Sequence, residues 1–167
     1  MLTSKALSVS YRPMRRLAAC GLLILFWMPA VLAVDREVGT WKANLARSSY
    51  SPPDLAPRQA IVRIEDVDNG LRVIVDLIDA AGRPVKYDYS FKFDGRDYPV
   101  IGDPSRDATA GRKIDEYTLE QVSKKNGAIT QTNRIVVAKD GQSRVQTTDG
   151  KDPKGRTIHN VVLWERQ

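Results

Sequence analysis

The segment VKYDYSFKF, residues 85–93, alternates without a fault. Val85, Tyr87, Tyr89, Phe91 and Phe93 fall on one side of an extended chain, and Lys86, Asp88, Ser90 and Lys92 on the other. Successive side chains of a strand point to opposite faces, so the run reads as a half-buried β-strand. A slip of one residue would turn the whole aromatic row to water, which ties down its register. The same period recurs nearby. QAIVRIEDV (59–67) sets Val62 and Ile64 against Arg63 and Glu65. LRVIVDLID (71–79) places Leu71, Val73, Val75 and Leu77 on one face, with Ile74 and Ile78 on the other, the pattern of a strand covered on both sides.

Turn chemistry separates these runs: DNG at 68–70, AAGRP at 80–84, KNG at 125–127, KDG at 139–141 and DGKDPKGR at 149–156. Asn and Gly accept the positive φ that tight hairpins demand, and Asp bonds its own backbone. DGRDYPVIGDPS (94–105) reads as one long turn region. Pro52, Pro53 and Pro57 keep the loop from Asn44 to Gln59 out of helix and interior strand. Further strands are expected at 38–45, 106–114, 116–124, 128–138, 142–148 and 157–166. That makes about nine strands in hairpin succession. No helical period competes with them. A long antiparallel meander buries its apolar face, and removes its exposed edges, by curling until it closes. DAAGRPV (79–85) and DPKGRTI (152–158) echo each other, which reads as convergent loop design and not as a structural repeat.

The first 33 residues have another character. Lys5, Arg12, Arg15 and Arg16 precede an apolar run, 17–28, then Pro29 and the small residues AVLA. That is the layout of a secretory signal peptide (1–33) cleaved after Ala33, leaving one domain, 34–167, in the periplasm or outside the cell. The run is shorter than the roughly 20 residues a membrane-spanning helix needs, so no transmembrane segment is expected after cleavage. LAAC at 17–20 imitates a lipoprotein box, but no apolar stretch precedes its cysteine; Arg15-Arg16 lacks the rest of a twin-arginine signal.

Removing the leader changes the charge. The whole chain is +6, with 26 basic and 20 acidic residues, and the leader holds four of the basic and none of the acidic ones. The mature chain is close to +2, so its charge gives no reason to expect a nucleic-acid partner. Cys20 also leaves, and a chain without cysteine depends on its core alone.

Catalytic patterns are missing. His159 is the sole histidine, too few for a metal site with no cysteine beside it, and too few for serine triad chemistry. The aspartates 68, 94, 97, 103, 140, 149 and 152 sit in turns, where backbone capping accounts for them. DGKDPKG lacks the spacing of a calcium loop, and no glycine-rich phosphate cradle precedes a helix. The expectation is a protein that is not an enzyme and carries no metal or cofactor.

GTWKANLARSSYSP (39–52), DGRDYPVIGDP (94–104) and NVVLWERQ (160–167) together resemble an exported, largely uncharacterised bacterial family with a lipocalin-like (calycin-type) barrel. The resemblance implies an up-and-down antiparallel meander closing into a lipocalin-like barrel of about eight or nine strands. It also implies that Trp41 packs across the closed end with a basic residue of the last strand, Arg166, over it. The Thr-Asp-Tyr-type loop of lipocalins proper has no counterpart here. A barrel of this size either fills with side chains or holds one small ligand. The expected ligand site comprises Trp41, Tyr87, Tyr89, Phe91 and Trp164, an aromatic interior suited to a mostly apolar molecule with one polar end. The Asn44–Gln59 loop would be a flap at the open end. On the other reading the same aromatics only fill the barrel, and the protein is an envelope or protein-interaction module. Which polar residues of 128–138 face inward, and the oligomeric state, stay open.

Overall fold

A computed structural model describes residues 35–167. The expected leader, with Cys20 and the cleavage point after Ala33, lies outside the described residues. Ten strands follow one another: β1 (Gly39–Ala43), β2 (Gln59–Val67), β3 (Gly70–Ile78), β4 (Pro84–Lys92), β5 (Tyr98–Pro99), β6 (Ala108–Lys113), β7 (Thr118–Lys125), β8 (Ala128–Val137), β9 (Ser143–Lys151) and β10 (Thr157–Arg166). Two short 3₁₀ turns, Leu45–Arg47 and Pro53–Leu55, interrupt the β1–β2 loop. The fold is all-β, as the alternation requires. The strand beyond the expected nine is β5, two residues long and paired with Thr109 and Ala108, inside the segment read as a turn. Two residues carry no period, so only their place beside β6 makes them a strand.

All ten strands form one antiparallel sheet in the order β4-β3-β2-β1-β10-β9-β8-β7-β6-β5. The first and last strands are neighbours: Trp41 lies opposite Arg166, and Ala43 opposite Trp164. The sheet curls into a nearly closed barrel. The β4 edge meets the short edge strand β5 and β6 beside it, through side chains and not through a continuous ladder. The Phe91 ring lies over Gly111 of β6, where even one methyl group would overlap it. One backbone bond, Gly95 N–H to Gly111 O at 3.1 Å, marks the lower end of this seam.

The buried faces match the alternation read from the sequence. Ala60, Val62 and Ile64 of β2 and Leu71, Val73 and Val75 of β3 point inward with Tyr89 and Phe91 of β4. Ile74 is partly buried on the outside, less covered than a two-sided strand would be. The β2–β3 turn places its positive φ at Asp68 (36°) and Asn69 (62°), one residue earlier than the DNG pattern indicates, and the chain is already in β3 at Gly70.

The two ends of the barrel differ. The turns after β2, β6 and β8 gather at the end where β1 begins. The long β1–β2 loop, the turns after β3, β7 and β9, and residues 100–106 gather at the opposite end. Residues 79–83 and 152–156, at that second end, make the same hydrogen bonds. Each aspartate Oδ1 accepts the N–H of the arginine four residues on (2.8 Å for Asp79–Arg83, 2.9 Å for Asp152–Arg156). In each turn the aspartate carbonyl also accepts the glycine N–H at 2.9 Å.

Candidate functional site

The barrel encloses a cavity of about 920 Å³, open at the end where the β1–β2 loop lies. Its size falls within the roughly 300–1,000 Å³ common for small-molecule sites. The cavity has two unlike walls because inward positions differ in chemistry from strand to strand. On β2 and β3 these positions hold Val62, Ile64, Leu71, Val73 and Val75. On β7, β8 and β9 they hold Gln121, Gln131, Asn133, Gln146 and Thr148, with Leu119, Ile135 and Arg144 nearer the end where β1 begins. The second set includes the inward pair of β8 that alternation alone left open: Gln131 and Asn133 face the cavity, while Thr132 and Arg134 point outward.

The polar wall is cross-linked. Asn133 Oδ1 accepts from Thr148 Oγ1 at 2.6 Å and from Gln146 Nε2 at 3.1 Å. Gln121 Nε2 donates across the interior to the Tyr89 hydroxyl at 3.2 Å. Buried polar groups that hold one another in this way keep a defined shape.

The aromatic row of β4 stands between the two walls. Tyr87, Tyr89 and Phe91 line the cavity, with ring centroids 6.3 Å and 6.1 Å apart along the row. Arg106, buried just before β6, ties the row to the neighbouring strands. Its Nε donates to Asp103 at 2.8 Å, Nη1 to Ser123 Oγ at 3.1 Å and Nη2 to the Tyr87 hydroxyl at 3.2 Å. Its guanidinium also lies 4.8 Å from the Tyr89 ring centroid, a cation–π distance. Burial raises the Tyr87 pKa above the ordinary tyrosine value, against the opposing pull of the Arg106 charge.

The floor is built from Glu37, Trp41, Arg144, Trp164 and Arg166. Trp41 is fully buried, and its Nε1 donates to the Glu37 carbonyl at 2.8 Å. Arg144 reaches from β9 to Glu37 Oε2 at 2.5 Å, and its guanidinium is 5.1 Å from the ring centroids of both Trp41 and Trp164. Arg166 sits 4.2 Å from the Trp41 centroid and donates to the Val38 carbonyl at 2.6 Å. Arg166 thus takes the position that the resemblance assigned to it. Trp164 borders the cavity, whereas Trp41 is a supporting layer beneath it. Among the described residues, three buried polar atoms on the floor have no hydrogen-bond partner: Glu37 Oε1, Arg144 Nε and Trp164 Nε1.

Sequence reasoning therefore assembled four cavity-bordering aromatics, left Gln131 and Asn133 as one of two alternatives, and missed Glu37, Arg106, Gln121, Arg144, Gln146 and Thr148. A charged residue in a strand reads as outward-facing. Only its neighbours across the barrel show that Arg144 turns inward.

The mouth is framed by Tyr50, Leu55 and Pro57 of the proline-rich loop and by Pro153. That loop is fastened to the last hairpin: Asp54 pairs with Arg156 at 2.9 Å, and Ser51 O accepts the His159 N–H at 3.0 Å. His159 faces outward and contacts Asp149 at 2.6 Å. Among the described residues no group of three or more histidine, cysteine, aspartate and glutamate side chains is placed to hold a metal ion, and no helix is long and apolar enough to cross a membrane. No protein-family model, curated protein or solved structure matches this chain.

Proposed function

We propose that this protein is a lipocalin-like container that binds one small, largely apolar molecule in its barrel, in the periplasm or outside the cell. The observation that carries the reading is the cavity of about 920 Å³, too large for the surrounding side chains to fill. Its apolar wall supplies affinity by removing ligand surface from water. Its amides and hydroxyls orient what enters. The floor, sealed by Trp41 and Arg166, makes the barrel a cup and not a pore. The β1–β2 loop is the flap through which the ligand passes.

A second reading has one observation in its favour. Ile101 and Ile129, both near the mouth, are 81% and 64% exposed, an apolar rim fit to touch another protein or an envelope component. The experiment that separates the two readings is native mass spectrometry of protein purified from its own envelope. It is paired with tryptophan fluorescence titrations using a panel of lipophilic molecules. The container reading expects a bound mass that organic solvent removes, and saturable fluorescence changes from Trp164. Protein that carries no ligand and responds to none would overturn it.

A further inference from the structure

We propose that the cavity is built for neutral ligands that both donate and accept hydrogen bonds, and that it discriminates against ionised carboxylates such as fatty acid anions. The inference rests on the container reading and specifies what the container takes.

Charge balance around the cavity carries it. Three cationic side chains border the space, and each already holds a carboxylate. At the floor Arg144 pairs with Glu37, both side chains being 4% exposed. At the upper wall Arg106 pairs with Asp103, at 9% and 8% exposed. Nearer solvent, Arg83 pairs with Asp79 at 2.8 Å. A carboxylate that enters such a space loses its hydration and finds no unneutralised cation in return. An unpaired buried charge of this kind is strongly disfavoured.

The hydrogen-bonding groups point the same way. Side-chain amides both donate and accept, so a wall of Gln121, Gln131, Asn133 and Gln146 suits neutral polar groups. An ionised carboxylate only accepts hydrogen bonds, so the donating half of that wall is all it can use.

The test uses delipidated protein at pH 8 and three probes of one chain length: dodecanol, dodecanamide and dodecanoate. Affinities are read by tryptophan fluorescence and by competition. The alcohol and the amide are expected to bind at least about tenfold more tightly than the carboxylate, the ratio expected from one buried unmatched polar group. In Glu37→Gln the charge of Arg144 is left unbalanced, and the preference should move toward the carboxylate by about tenfold or more. Asp103→Asn should move it the same way from the other end of the cavity, and it decides the matter if thermal melting shows Glu37→Gln unfolded. Dodecanoate binding as tightly as dodecanol to the unaltered protein, or a ratio unmoved by folded variants, overturns this inference and leaves the container standing. Failure of all three probes to bind overturns the container reading and this inference together.

Discussion

At the scale of single residues, the pattern Gly39-x-Trp41 has a physical explanation in Arg166. Gly39 has φ +141°, a conformation that side chains rarely adopt, and a Cβ there would collide with the Arg166 guanidinium. The glycine thus clears the space from which Arg166 covers Trp41. On the other side of the same indole, Arg144 and Glu37 form a buried ion pair. Such a pair is weak evidence for net stability, but losing one partner strands the other in a low-dielectric site. Arg144→Ala is therefore expected to cost about 3–5 kcal/mol in urea unfolding, through the abandoned Glu37 carboxylate. Tyr87 makes a separate prediction. Its folded-state pKa is raised, so its contribution to stability is fully present below about pH 10, the ordinary tyrosine value, and is lost as the pH climbs beyond it. Denaturation series between pH 8 and 12 should show that alkaline loss in the unaltered protein and less of it in Tyr87→Phe.

At the scale of elements, β4 performs two tasks. Its alternation supplies the aromatic side of the cavity, and its edge completes the barrel. The β4–β6 contact lacks a full ladder of hydrogen bonds, and the Phe91 ring over Gly111 closes it together with the bonds of Arg106 to Tyr87 and of Gln121 to Tyr89. Phe91 stacks on Tyr89 on one side and meets Phe93 edge-on at 6.0 Å on the other, so it has little freedom to move aside. Gly111→Ala is expected to destabilise by about 1–3 kcal/mol, the usual range for overpacking, and thermal denaturation measures it. An exposed edge would also follow if the seam opened, so the variant should aggregate more readily than the parent.

At the scale of the whole molecule, the hollow interior has a thermodynamic consequence. A space of about 920 Å³ forfeits contacts that a filled core would make, and a ligand restores them. Binding to the folded state alone stabilises by mass action, by about 2.7 kcal/mol at a free concentration 100 times Kd. Calorimetric melting with a tight ligand should therefore shift upward with ligand concentration.

What the sequence determined by itself is the strand ribbon. Period two in β2, β3 and β4 reports directly which face meets a core, because neighbouring side chains must point apart. Turn residues report where the ribbon doubles back, to within a residue at Asp68-Asn69. Closure of β1 against β10 follows from the need to remove edges, which placed Trp41 and Trp164 together before any coordinates did. The tertiary structure alone decided what the ribbon encloses. Whether Tyr87, Tyr89 and Phe91 fill the interior or line it depends on the radius at which the sheet closes, a property of all ten strands at once. The inward turn of Arg144, and its meeting with Glu37 across 107 positions of chain, depends on register between strands far apart in sequence. Local alternation says that a side chain faces in or out, and never what it meets there; the meeting is set by long-range pairing.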